Sequence, residues 1–339
     1  MTDTRIACSE YMTPEKSLTD IKPIKANPHR GKSSRSSAWY AAKVSFRRHW
    51  QLYLILLPAV LYFIIFKYVP LTNAVIAFKD YNVIQGIWGS PWVGLKHFSA
   101  FFDNPVFWTL IQNTLGLSLY ALIVGFPLPI ILAIFLNEIK DGLFKRAVQM
   151  ITYAPYFIST VIMVSMVILL LSPRLGVLNL GLQAIGAKTV NFLGIPDAFP
   201  TIYVWSGVWQ YSGYSAIVFL AALAGVDPQL YEAAKMDGAS RLQKIFNIDL
   251  PGIMPVIVIV LILNVGSILG IGFEKVFLLQ NPLNLSTSEV ISTYVYKVGL
   301  LNANFSFATA VGLFNSVVNM ILLVAVNQFA KRVSDTSLW

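Results

Sequence analysis

Charge is the scarcest property of this sequence. Of 339 residues, 12% are Asp, Glu, Lys or Arg, against 56% hydrophobic, and the mean hydropathy is +0.65. A water-soluble domain keeps about a quarter of its residues charged to hydrate its surface, so much of this chain must face lipid. Cysteine is nearly missing. Cys8 stands alone, which excludes an intramolecular disulfide, and it lies too near the start to follow an apolar signal region and carry a lipid anchor. The three histidines, His29, His49 and His97, sit in polar or interfacial stretches, and with one cysteine they make no metal cluster. No G-x-x-x-x-G-K-[ST] phosphate loop occurs. With no catalytic constellation to nominate, the sequence reads as something other than an enzyme, with no metal site and no cofactor in this chain.

What the chain has in quantity is long apolar runs. Crossing a hydrocarbon core of roughly 30 Å takes about 20 mostly apolar residues. Six stretches qualify, at about residues 52–69, 107–136, 147–171, 201–225, 253–273 and 305–329. The expected fold is therefore all-α: a polytopic membrane protein of about six transmembrane helices, its membrane domain covering residues 50–330. Before it lies a basic tail, residues 1–49, rich in Ser, Pro, Lys and Arg and mostly disordered by composition. After it comes a short tail, residues 331–339. Pro70 closes the first run, and Pro127, Pro129 and Pro155 fall inside later ones. Such prolines imply kinked helices in a bundle, where neighbours re-satisfy the freed carbonyls.

The net charge of +9 is distributed by topology rather than gathered into a nucleic-acid patch. With six crossings both termini share a side, and that side holds 18 of the 25 basic residues. Short cytoplasmic loops retain Lys and Arg, so both termini are expected in the cytoplasm. The surplus implies affinity for anionic lipid and no nucleic-acid partner.

The segment between the fourth and fifth runs, residues 226–251, is the longest cytoplasmic loop after the tail, and its pattern is structured. Asp227-Pro228 can cap and begin a helix. Gly238 interrupts the apolar period, and Leu242, Ile245 and Phe246 resume it at i, i+3, i+4 spacing. Pro251 and Pro255 should halt that second helix before the fifth span. The reading is two short helices joined near a glycine, a knob suited to a soluble partner.

Within this segment, "EAAKMDGASRLQKIFNIDLP" resembles the EAA loop of permeases of ATP-binding-cassette importers. Glu232, Ala233, Ala234, Asp237, Gly238, Ala239, Phe246, Ile248, Leu250 and Pro251 match its pattern. "VGLKHFSAFFDNPVFWTLIQNTLGLS", "WSGVWQYSGYSAIVFLAALAGVD" and "GFEKVFLLQNPLN" are similar to carbohydrate permeases of the maltose-transporter type. "TYVYKVGL", "NFSFATAVGLFNS" and the terminal "SLW" look like the LplB-like subgroup for polysaccharides and complex oligosaccharides. The resemblance implies a type I importer in a bacterial cytoplasmic (inner) membrane. This permease would pair with a second one as a heterodimer, two ATPase subunits would dock on the EAA loops, and an external solute-binding protein would deliver an oligosaccharide. ATP and Mg would be bound by the ATPase chains. Carried over, Glu232 would pair with a basic residue of the ATPase, while Ala233, Ala234 and Gly238 would fit its groove. A permease for a non-sugar solute, or a non-transporting membrane partner of an ATPase, are the alternatives.

Candidates for the substrate pathway come from residue chemistry. Tyr153, Tyr156, Phe157, Trp205, Trp209, Tyr211 and Tyr214 offer apolar faces to sugar rings and OH or NH groups for hydrogen bonds. Trp and Tyr near span ends also serve the interfacial belt, and that role competes for each of them. Trp205 and Trp209, four apart on one helical face, are the leading pair. Asn264, Asn315 and Asn319 should face the bundle, because polar groups in lipid are costly; they either line the cavity or bond helix to helix. Glu274, beside Lys275, is a paired structural charge or a sugar contact.

Overall fold

The computed structural model describes residues 48–333, so residues 1–47 of the basic tail, Cys8 included, and the last six residues lie outside the described part. The chain divides into two units, one ending at Val69 and the other beginning at Pro70. Among the described residues the secondary structure is helical, apart from a single β-bridge between Lys79 and Trp92.

Among the described residues four helices are long and apolar enough to cross a membrane: α1 Trp50–Phe78, α2 Phe107–Glu138, Arg241–Gly266 and Phe305–Arg332. Between α2 and Arg241 come α3 Leu143–Tyr153, α4 Thr160–Leu170, α5 Phe199–Ala224 and α6 Pro228–Met236, so that Arg241–Gly266 is α7. A shorter helix, α8 Phe273–Leu279, precedes the last one, α9 Phe305–Val333. Two pairs pass the length and composition test only together. The α3–α4 pair, with a 3-10 turn through Phe157, is bent by 101°, and the α5–α6 pair by 73°. Counting each bent pair as one crossing gives six.

The bends have local causes. Between α3 and α4, Pro155 sits in the 3-10 turn and Ser159 restarts the helix, its Oγ accepting from Ile162 N–H. The carbonyl of Ile158, freed at the break, accepts from Nε2 of buried Gln210 at 2.9 Å. Close approach seals the same region: a Cβ at Gly213 would stand 1.9 Å from the Thr152 carbonyl oxygen, so only glycine lets α5 pack against α3.

Three expectations are corrected. Pro70 does not end the first helix, which runs on to Phe78. Pro251 and Pro255 do not separate a short helix from the fifth span, because α7 is continuous from Arg241. In both places a π turn precedes the proline, Ile64–Tyr68 and Ile245–Asp249. The wider turn makes room where a proline ring would otherwise meet the carbonyl four residues back. Finally, α7 stops at Gly266 rather than at 273, and an irregular stretch with Gly270 and Gly272 leads into α8.

The core that fixes these elements is apolar. Ile130, Ala133 and Ile134 of α2 pack with Ala216, Phe219 and Leu223 of α5 and Ile253 of α7. Leu117 of α2, Met163 and Val164 of α4, and Phe199 and Val204 of α5 form a second cluster with Val276 and Leu279 of α8.

Candidate functional site

Two places concentrate chemistry, one at each end of α7. The first is the segment around α6. Asp227 Oδ1 accepts from Gln229 N–H at 2.9 Å and Pro228 supplies the first helical residue, which fixes where α6 begins. Its end is a paired backbone closure. Gly238 N–H donates to the Lys235 carbonyl at 3.2 Å and Ala239 N–H to the Ala234 carbonyl at 2.9 Å, with Gly238 at φ +72°. Ser240 then opens α7 reciprocally: its N–H donates to Gln243 Oε1 at 2.7 Å while its Oγ accepts from Gln243 N–H. Asp237-Gly238-Ala239-Ser240 is thus a helix stop and a helix start with nothing between. A Cβ added at Gly238 would meet nothing within 4 Å, so the glycine is required by backbone conformation and not by crowding inside this chain.

This corner presents side chains outward. Glu232, Ala233 and Asp237 are exposed, Ala234 and Ala239 half-buried, and Met236, Leu242 and Phe246 exposed apolar groups. It is also tied to the body. Tyr231 donates from its hydroxyl to Oδ1 of Asp249 at 2.5 Å, joining α6 to the π turn of α7 two residues before Pro251. Asp249 is fully buried, and its Oδ2 has no partner. Burial, and then this carboxylate, push the Tyr231 phenol well above its usual range, so it stays the donor.

The second place is a cavity of about 660 Å³ between α2, α5, the end of α7 and the start of α8. One stripe of α5 forms its wall: Tyr203, Gly207, Tyr211, Ser215 and Val218, spaced by three and four. Tyr156 lies flat on Tyr214, with ring centroids 3.7 Å apart at 7°, and meets Tyr211 edge-on. The polar lining is Ser118, Asn264, Ser267 and Lys275 with the serines of α5. Ser118 donates to the carbonyls of Thr114 and Ile268, and Asn264 Nδ2 to the Val260 carbonyl at 2.8 Å.

Of the pathway candidates, Tyr156, Tyr211 and Asn264 come together here. Trp205 and Trp209 do not. They sit two positions from the cavity stripe, about 200° around the helix, and are about half exposed, with Trp205 Nε1 donating to Tyr120 Oη at 3.2 Å. Glu274 is exposed and forms no ion pair with Lys275, which turns inward and is buried. Asn319 bonds helix to helix: its Oδ1 accepts from Leu269 N–H at 3.1 Å, just past the end of α7. Asn315 keeps a buried, unpartnered Oδ1 one turn away. Sequence reasoning passed over Tyr203, Gly207 and Lys275, although the four-residue spacing Tyr203, Gly207, Tyr211, Ser215 was available as a signal.

Known proteins match this architecture along most of its length. The chain is 46% identical over 288 residues to the polygalacturonan/rhamnogalacturonan transport system permease protein YteP of Bacillus subtilis (strain 168), covering 85% of this chain and 90% of that one. It is 42% identical over 307 residues to protein LplB of the same organism, covering 91% and 96%. In a crystal structure of a bacterial ABC transporter involved in the import of the acidic polysaccharide alginate, one chain superposes with a TM-score of 0.81 at 41% identity, covering 87% of this chain and 99% of that chain. Residues 125–335 match the family of binding-protein-dependent transport system inner membrane components, and the chain belongs to that family.

Proposed function

We propose that this chain is the membrane-crossing half of an importer that moves oligosaccharides delivered by an external solute-binding protein, driven by ATPase subunits docked at residues 226–251. The observation that carries this reading is the continuity of α7. At one end it begins in the exposed corner with Glu232, Gly238 and Ala239, tied through Tyr231 and Asp249. At the other end Val260, Asn264 and Ser267 line the cavity. A 26-residue helix is about 39 Å long at 1.5 Å per residue, so a push that reaches α7 through residues 237–240 or the Tyr231–Asp249 bond is delivered to the cavity wall along one continuous helix.

The ATPases bind ATP and Mg, since this chain supplies no phosphate loop of its own. A second permease, completing a heterodimer, supplies the opposite wall of the pathway. The tyrosine-rich wall suits sugar rings, whose CH faces pack on aromatic faces while OH groups are bridged by hydroxyls and amides. The substrates named for the transport relatives, polygalacturonan, rhamnogalacturonan and alginate, support a carbohydrate. The chain crosses the membrane six times, with both termini and the docking corner in the cytoplasm, as the 18-to-7 basic asymmetry requires.

Two measurements test this. Proteoliposomes holding both permeases and the ATPases should accumulate a labelled pentasaccharide only with internal ATP and external binding protein; accumulation without either one, or none with both, overturns the reading. In a Cys8→Ser background, a cysteine placed at Ser240 should resist impermeant thiol reagents in intact cells and react in inverted vesicles. Labelling from outside would reverse the topology.

A further inference from the structure

Lys275 is the one Lys, Arg, Asp or Glu among the lining residues. The residue is 6% exposed and is part of the cavity lining. It donates to the Tyr203 carbonyl at 2.7 Å and lies 4.6 Å from the centre of the Tyr203 ring. Beyond that carbonyl and ring, Lys275 keeps donor capacity to spare, and as an ammonium it would have no counter-charge beside it. No Asp or Glu lines the cavity, and the ion pairs among the described residues, Lys96–Asp80, Lys145–Asp141, Arg241–Glu138 and Lys297–Glu289, do not include Lys275. Burying a cation without a counter-charge is unfavourable, so an anion entering the cavity would favour the ammonium form of Lys275 and be held by it. The backbone is shaped around it: a Cβ at Gly207 would stand 2.9 Å from the Nζ, so the glycine in the cavity stripe leaves the space that the ammonium fills.

We infer that the cavity is built for an acidic oligosaccharide, and that Lys275 takes the carboxylate of a uronic acid unit while the tyrosines of α5 hold the rings. This rests on the reading of the chain as an oligosaccharide permease and adds to it the charge of the cargo and the residue that selects it. The ammonium–carboxylate bond is charge-assisted and placed away from bulk water, where such bonds are strongest. An ester or alcohol in place of the carboxylate would give up the charge-assisted contact, and discrimination follows from that loss.

The test uses the assembled importer in proteoliposomes with ATP and binding protein. The probes are tetrasaccharides of galacturonate, mannuronate and guluronate, each beside its carboxyl-reduced neutral counterpart of the same size. Wild type should take up at least one acidic probe and prefer it to its neutral twin by about tenfold or more, the size of one charge-assisted hydrogen bond. Lys275→Gln should abolish that preference by lowering acidic uptake far more than neutral uptake, and Lys275→Arg should restore most of it. Gly207→Ala keeps the charge but crowds its seat, and should lower acidic uptake selectively. Equal uptake of the twins by wild type, which needs no variant, overturns the inference. So does a fall of both twins together in Lys275→Gln, the result expected if Lys275 merely tethers α8 to α5. Uptake of none of the six probes would instead fail the oligosaccharide reading itself, and the inference with it.

Discussion

The docking corner and the cavity wall sit at opposite ends of α7 and are specified in opposite ways. The corner is local. Asp227, Gly238, Ser240 and Gln243 set every backbone hydrogen bond that shapes it within a stretch of 17 residues. The wall is assembled from α2, α5, α7 and α8, with Ser118 and Lys275 brought together from positions 157 residues apart. A site that must fit an invariant partner surface can be written into consecutive residues; a site that must change shape during transport is spread over elements that move. The two differ in solvent as well. Glu232 and Asp237 at the corner are exposed, whereas Lys275 is buried, so on the proposed function substitutions at the corner should act on docking and those at the wall on cargo.

The strongest way to break this contrast is at the corner. Glu232→Ala removes an exposed carboxylate that no internal bond needs, so folding and membrane abundance should be unchanged. If Glu232 meets an ATPase Arg or Lys, losing that interface pair costs about 2–5 kcal/mol, and the ATPase should no longer co-purify. Gly238→Val places a β-branched residue at φ +72°, a conformation that costs an L-residue about 1–2 kcal/mol before any contact is considered. A series of Gly238→Asn, Gly238→Ala and Gly238→Val should lose ATPase in that order if φ is the cause. Full recovery of the ATPase with Gly238→Val at matched permease abundance would remove the backbone argument.

A smaller effect is expected where the two regions are joined. Tyr231→Phe deletes a hydrogen bond to a buried carboxylate, worth about 1.5–3 kcal/mol, without touching the exposed docking groups. The ATPase should still bind and still hydrolyse ATP, while uptake per ATP falls several-fold because the corner no longer moves α7 as one body. Asp249→Asn should show a smaller fall in the same direction, since the amide oxygen still accepts from the Tyr231 hydroxyl but without the charge assistance. Uptake per ATP equal to wild type in both variants would show that the continuous helix suffices without this tie.

How much of this was legible follows the same division. The caps around α6 could be read residue by residue, because Asp-Pro, Asp-Gly and Ser-x-x-Gln each imply a backbone geometry on their own. Pro251 could not: it reads as a stop, and the π turn that accommodates it, Ile245–Asp249, has no signature of its own. On α5 the difficulty is solvent. A soluble helix reveals its buried face by polarity, but here lipid and protein interior are both apolar, so Phe199–Ala224 is apolar nearly all round and no stripe stands out. Side-chain type then favoured Trp205 and Trp209, while Tyr203 and Gly207 went unremarked. Lys275 was hidden by its neighbour, since an adjacent Glu274 suggests a pair, although consecutive helical residues point about 100° apart.

The finest test sets two neighbours on α5 against each other. Tyr211 lines the cavity and meets the stacked Tyr156 edge-on, at 6.1 Å between centroids. Trp209 is 49% exposed and lies outside the cavity lining. Tyr211→Ala removes an aromatic face worth about 0.5–1.5 kcal/mol in a ring contact, so uptake of a preferred probe should fall about three- to tenfold, mainly through weaker cargo binding. Trp209→Ala should leave uptake within about twofold once it is normalised to assembled complex, whatever it does to the yield of that complex. The normalisation matters, because a tryptophan at a permease–permease surface would lower assembly and so mimic a cargo defect in crude membranes. The residue bearing the larger normalised loss marks the cargo face of α5. If Trp209→Ala shows it and Tyr211→Ala does not, the pathway runs along the opposite side of the helix and the cavity described here is not the sugar's route.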